Sequence, residues 1–446
     1  MRVRRGINKI VPANIRRAGT WRLFVGAIVC AIAGAAVAQA IEVPLSFEKL
    51  AEQDSALRGW YPPRGKVEGG DLKAPSAGAY MSAFAVGGQD FYFALERANE
   101  TDPYFNRLYF DANGNHDLRD DGFLEGKEEP INENLAWVKF PAIDIEYQFQ
   151  GRTPLPYCVS IGLLKYLKSA EFNQEPRLQI MSAGIWTGSF NLDGTQYRVS
   201  FGDSDFDGNY GSQIRRRKDI PDYLVFEGDQ IRVSRAGASV ALYDSMQLSE
   251  HLFVRDNYYR LEVNTAERKA ILTPQPTPAP ALKIEPDMYQ VQLVTQDNRT
   301  GLCLFEPTAI VHIPPGTYHV ASYLSSRTDE QGDRWVLYGR GDLQTALVTV
   351  GEPAAAAAVE MPVGPPYRAI VENRENRFKK GPAHPWRLTL RVEGRGGDKV
   401  AGVMRVEGNN TRFKLSEKQP NAPIEPAWKV ITEDGEVVAS GTFEYG

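Results

Sequence analysis

The chain has 446 residues, 11% of them aromatic, with 51 Lys+Arg against 56 Asp+Glu. That length predicts two or three domains, each able to bury a core without disulfides. Seven of the cations lie in the first forty residues, so the remainder carries 44 against 56, a net charge near −12, which excludes nucleic acid and anionic membrane as favoured partners.

Residues 1–40 read as an export signal. Arg2, Arg4, Arg5, Lys9, Arg16, Arg17 and Arg22 form a cationic region without acidic residues, Leu23 to Val37 is almost wholly apolar, and Ala38-Gln39-Ala40 supplies small residues for a peptidase. The apolar run is short and Ala/Gly-rich, so Sec-type secretion with cleavage after Ala40 is expected, into the periplasm or beyond the cell. An uncleaved N-terminal anchor is the alternative. Two cysteines then remain, Cys158 and Cys303. They fall in different predicted domains and are expected to stay unpaired, Cys158 as a core residue.

The fold class expected is mainly β: a multidomain sandwich or barrel with calcium-loop insertions and one short N-terminal helix. That helix is placed over Ser46 to Trp60, where Phe47, Leu50, Ala51 and Leu57 approximate a stripe. After it come short segments rich in aromatic and β-branched residues: Tyr80 to Val86, Phe91 to Leu95, Ile143 to Phe149, Cys158 to Leu164, Gly188 to Leu192, Tyr197 to Phe201 and Tyr258 to Val263. Ile143 to Phe149 alternates apolar and polar residues strictly, the mark of a strand with one buried face. Asp193-Gly194 suits the positive φ angles of a hairpin turn. This β-rich domain is expected over 41–272, followed by a Pro-rich linker at 273–282, a β-sandwich over 283–360 and a C-terminal β domain over 361–446, the last two being one unit in the alternative reading. In the second half, Trp335 to Tyr338 is expected to pair with His319 to Leu324, and Trp386 to Val392 and Val437 to Tyr445 again alternate.

The strongest chemical signal is a pair of acidic loops. The first runs Asp111-Ala-Asn-Gly-Asn-His-Asp-Leu-Arg-Asp-Asp-Gly122 and offers oxygens from Asp111, Asn113, Asn115, Asp117, Asp120 and Asp121. The second, Asp203-Ser-Asp-Phe-Asp-Gly-Asn209, places Asp203, Asp205 and Asp207 at alternate positions before Gly208 and Asn209, with Asp219, Asp222 and Asp229 close enough to complete or flank the shell. Crowded carboxylates repel, and a divalent cation makes the crowding favourable. Oxygen ligands on a flexible loop point to calcium over magnesium. Arg107-Leu-Tyr-Phe110 leads into the first loop and Arg198-Val-Ser-Phe201 into the second, so two related strand-to-loop units 92 residues apart are expected. The competing reading is a pair of ordinary exposed turns, which use the same residue types.

Both loops resemble the calcium loops of the EF-hand, dockerin and thrombospondin type 3 families. The resemblance implies Asp111, Asn113 and Asn115 as side-chain ligands with Asp117 the fourth, and Asp203, Asp205 and Asp207 as the first three of the second loop. His116 stands where the EF-hand has glycine, Gly122 where it has its bidentate glutamate, and Ile214 occupies the twelfth position of the second loop. No amphipathic helix flanks either, so calcium loops between strands are expected. Pro314-Pro-Gly-Thr-Tyr318 before His319 to Leu324 resembles the turn of carboxypeptidase regulatory-type β-sandwich modules, which implies a prealbumin- or immunoglobulin-like sandwich.

Catalytic signals are weak. There is no G-x-S-x-G elbow, Ser46-Phe-Glu-Lys49 lacks the boxes that accompany S-x-x-K, and His116, His251, His312, His319 and His384 are scattered rather than set at zinc spacing. The expected function is therefore non-enzymatic binding or scaffolding at the cell exterior, with calcium as cofactor and a glycan or another cell-surface protein as partner. The alternative is a hydrolase of extracellular polysaccharide whose acids come from Glu125, Glu128, Asp144 and Glu146.

Overall fold

Alternation along the chain becomes a set of mostly antiparallel sheets that share cores. The computed structural model describes residues 39–446, apart from 51–56, 62–66, 68–70, 100, 103, 149–152, 169–174, 212–213, 218–223, 225, 239–243, 352–357, 376–385, 407–426, 433 and 444–446. The expected export signal lies outside the described residues, except for Gln39 and Ala40 at its end. Regular structure among the described residues is all strand, and the fold is mainly β.

The predicted strands form, several of them longer than the segments read from sequence, while Ile143 to Phe149 forms a strand over Ile143–Tyr147, Phe149 lying outside the described residues. Ile143–Tyr147 buries alternate residues, and Leu155–Tyr166, Gly184–Leu192, Thr195–Gly202 and Asn257–Asn264 enclose the segments read from sequence. Asp193 and Gly194 take φ of 49° and 77° and join two of these strands in register, Leu192 opposite Thr195. Trp335 to Tyr338 pairs with the long Gly316–Thr328 strand that contains His319 to Leu324, but the register is shifted from the expected segment: Tyr338 lies opposite Leu324 and Trp335 opposite Arg327.

The expected helix is a correction. Ser46–Lys49 is a strand pairing with Gly184–Thr187, and 51–56 lie outside the described residues. The stripe is split by tertiary partners: Phe47 packs edge-on against Trp186 with ring centroids 5.6 Å apart, while Leu50 and Leu57 join Ile185 in a separate cluster. A ladder to a neighbouring strand outweighs the few tenths of a kcal/mol per residue of helix propensity.

Four sheets position the acidic loops. Tyr80–Val86, Gln89–Glu96, Arg107–Phe110 and Phe123–Glu125 make one, and the first loop is the connection between its last two strands. A second is built around Leu155–Tyr166 and includes Ile143–Tyr147. A third runs from Met246–Gln247 through Gln230–Arg235, Thr195–Gly202 and Gly184–Leu192 to Ser46–Lys49. The largest carries Ile41–Pro44 at one end and Arg368–Glu375 at the other.

Strands on the two sides of 273–282 meet in that largest sheet. His251–Val254 pairs in parallel with Gly301–Phe305, Leu252 opposite Cys303. These two strands form a wall between cores: Leu252, Val254, Cys303 and Phe305 belong to the larger apolar cluster, while Phe253, Leu302 and Leu304 belong to the second. The Pro-rich stretch begins inside a strand, Lys269–Pro274, and Gln275 donates its N–H to the Tyr258 carbonyl at 2.9 Å. Arg235 donates to both carboxylate oxygens of Glu306 from Nε and Nη2 at 2.7–2.9 Å, adding a polar tie across the same seam. Cys158 and Cys303 are both buried and free.

Candidate metal centre: two matched acidic loops

Each loop begins where a strand ends. Phe110 closes the Arg107–Phe110 strand and Asp111 follows; Gly202 closes Thr195–Gly202 and Asp203 follows. From that first aspartate onward the two loops are built alike. Asp111 accepts N–H groups from Asn115 and His116, both at 3.1 Å, and Asp203 accepts them from Phe206 at 2.7 Å and Gly208 at 3.0 Å. Two residues on, Asn113 Oδ1 accepts the N–H of Asn115 at 2.9 Å, as Asp205 Oδ1 accepts that of Asp207 at 3.4 Å. Two further on, Asn115 Oδ1 takes the N–H of Asp117 and Asp207 Oδ1 that of Asn209, each at 2.7 Å. The Asn113, Asn115, Asp205 and Asp207 oxygens each accept the N–H two residues on, a turn pattern shared by exposed turns and cation loops.

The backbone matches too. Gly114 and His116 have φ of 69° and 63°; Phe206 and Gly208, at the same third and fifth places after the leading aspartate, have 61° and 72°. His116 therefore adopts the left-handed conformation that the EF-hand reserves for glycine. It packs edge-on against Tyr92, ring centroids 4.8 Å apart. Phe206 is held by Tyr61 and Tyr157, at 5.2 and 5.8 Å. Tertiary packing sustains a strain that sequence alone argues against.

Strand pairing supplies a further carboxylate to each loop. Gly202 lies opposite Gln230, so the next residues outward are Asp203 and Asp229. Tyr109 lies opposite Phe123, and two residues outward Asp111 comes opposite Asp121. The two partners act alike: Asp229 Oδ1 accepts the N–H of Ser204 at 3.2 Å and Asp121 Oδ1 that of Ala112 at 3.3 Å. Like charges directly opposite on paired strands repel.

In the second loop the crowding is severe. One ligand atom from each of Asp203, Asp205 and Asp229 lies within 4.8 Å of the others, and Asp203 and Asp229 are fully buried. Among the described residues this is the one such gathering of three His, Cys, Asp or Glu groups. Burial pushes the Asp203 carboxyl well up, reinforced by the charge of Asp229; burial pushes Asp229 up to about 7, opposed by the Gly211 N–H. Asp207 is raised by burial as well, with Arg215 acting the other way. The Tyr147 hydroxyl donates to the Gly208 carbonyl at 2.7 Å. The Tyr210 hydroxyl is buried, has no hydrogen-bond partner among the described residues, and feels the charges of Asp203 and Asp229.

The first loop is more open. Asp111 is buried, but Asn113, Asn115 and Asp120 are exposed. Asp121 Oδ2 is buried without a hydrogen-bond partner among the described residues, and burial together with the charge of Asp111 raises its pKa. Asp117 faces elsewhere in charge: Arg119 at 2.6 Å and Lys73 at 3.0 Å hold its carboxyl well below the usual carboxylate range. Asn115 Nδ2 donates to Asp120 at 2.8 Å. The expected ligands therefore divide. Asp111, Asn113, Asn115 and Asp121 correspond to Asp203, Asp205, Asp207 and Asp229, whereas Asp117 is already matched by cations.

The sequence places Asp121 as an acidic neighbour and Asp229 as a flanking group, but it carries no sign that the two are equivalent. It depends on which strands pair, and the signal available was only an aspartate immediately preceding an apolar alternation, as in Asp229-Gln-Ile-Arg-Val233. The chain matches no protein-family model, no curated protein and no solved structure.

Proposed function

We propose that the protein is a calcium-binding β protein of the periplasm or cell exterior, with a non-enzymatic binding or scaffolding role. The observation that carries the cation is the convergence of Asp203, Asp205 and Asp229 at a buried point. Several carboxylates brought together out of water are unfavourable unless a cation neutralises them. Calcium takes about six to eight oxygens in a flexible shell. Asp203, Asp205, Asp207, Asp229 and Asn209 are its candidate sources in the second loop, and Asp111, Asn113, Asn115, Asp120 and Asp121 in the first. Bound there, the ion ties the end of the Thr195–Gly202 strand to the start of the Gln230–Arg235 strand, so its role is structural.

Export is supported by the leader pattern of residues 1–40 and by the acidic balance of the remainder. The hydrolase reading keeps one observation in its favour: Asp144 and Glu146 both line a cleft beside the first loop. Asp144 is engaged by Lys49 at 2.7 Å.

Thermal unfolding of the mature chain tests the cation. Calcium should raise Tm and a chelator should reverse the rise. Asp205 is exposed, so Asp205→Asn should leave the calcium-free Tm within about 2 °C while reducing the calcium-induced rise. Asp203→Ala should remove the contribution of the second loop. A melting curve indifferent to calcium and chelator would refute the proposal.

A further inference from the structure

A cleft of about 870 Å³ opens between the first acidic loop and the outer face of the Ile143–Tyr147 strand. Asp111, Asn113, Gly114 and His116 line it from the loop; Asp144 and Glu146, turned the same way by alternation, line it from the strand. The size falls inside the roughly 300–1,000 Å³ of small-ligand sites. We propose that this cleft binds a neutral oligosaccharide, and that the cation-bound first loop forms one of its walls; this rests on the binding role and the calcium argued above.

The chemistry of the lining selects the ligand class. Charged and amide groups on both sides exclude a purely apolar guest. An anionic guest would meet Asp90, Asp144 and Glu146, and like charges there cost binding. The lining is less cationic-selective than its carboxylates imply, because Lys49 and Asp144 neutralise one another at 2.7 Å and Asp111 already accepts two backbone N–H groups. What remains is a mixture of amide donors at Gln89 and Asn113, a carboxylate acceptor at Glu146, and the ring of half-buried Tyr92. A pyranose presents the complementary mixture. Its vicinal hydroxyls donate to carboxylates and accept from amides, while its C–H face lies on an aromatic ring.

The link to the first loop makes binding cation-dependent. Asp111 and Asn113 belong both to the loop's oxygen set and to the cleft lining. A cation held by their oxygens fixes that wall, and a wall ordered beforehand removes an entropic cost from ligand binding.

Calorimetric titration of the full mature chain with cellohexaose, xylohexaose, maltohexaose and chitohexaose, in calcium and after chelation, tests this. Oligolysine and an oligogalacturonate serve as charged comparators. At least one neutral hexasaccharide should bind with Kd below about 1 mM in calcium, and chelation should weaken it. Glu146→Ala should weaken it about tenfold with little change in Tm, and Tyr92→Ala should weaken it about tenfold while also lowering Tm, because the same ring supports His116. Absence of neutral-sugar binding, preference for either charged comparator, or affinity unchanged in both variants would overturn the cleft assignment. The calcium-induced rise in Tm reports separately on the cation. Cleavage of a bound hexasaccharide would retain the cleft as a glycan site and overturn the non-enzymatic role.

Discussion

At the scale of single residues, the acidic pairs are the consequential feature. Asp203 and Asp229 hold their protons to a higher pH in the folded chain than in the unfolded one, where 3.8 is ordinary. Between 3.8 and about 7 the folded state therefore binds more protons. Stability contributed by these groups is present at low pH and falls as pH rises through that window. A chelated sample should show this fall between about pH 4 and 7 as a declining Tm, after subtraction of the profile of Asp203→Asn. Added calcium should oppose it increasingly as the pH rises, because the ion binds the deprotonated oxygens. Equal calcium effects at both ends of the range would refute the ion's dependence on these carboxylates.

At the scale of the element, the two loops have one backbone design in two environments, and two glycines separate its costs. Gly114 and Gly208 both have φ near 70°, but a Cβ on Gly114 would meet nothing, whereas one on Gly208 would meet the Tyr147 ring. Gly114→Ala should cost about 1–2 kcal/mol, the penalty of a left-handed L-residue. Gly208→Ala should cost at least about 3 kcal/mol, because overpacking adds to that penalty. Denaturant unfolding measures both, and equal losses would show that Tyr147 yields freely. The same packing accounts for Phe206, whose left-handed conformation is held because its ring lies against Tyr61 and Tyr157.

For the molecule as a whole, the paired strands His251–Val254 and Gly301–Phe305 join the two main cores. Loss of either core strips one face from this wall, so the two should unfold together. Cys158 and Cys303 can report it, since both belong to buried strands and burial pushes each thiol up to about 12. Neither should react with a thiol reagent in the native protein. In rising denaturant both should become reactive at one midpoint, resolved by peptide mass spectrometry. Two separate midpoints would show that the seam at 273–282 divides independently folding parts.

The sequence by itself determined the β class, most strand positions and the place of both acidic loops. Those properties are local: strict alternation over Ile143 to Tyr147, the Asp193-Gly194 turn, and oxygen-bearing residues at alternate positions after Asp111 and Asp203 can each be read within ten residues. Only the tertiary structure decided which oxygens face one another. Asp229 reaches Asp203, and Asp121 reaches Asp111, through strand register, while Lys73 comes from more than forty residues away to help neutralise Asp117. The same distinction explains the helix that became a strand at Ser46–Lys49. Its partner, Gly184–Thr187, lies far along the chain, and a ladder of that span leaves no trace in local periodicity.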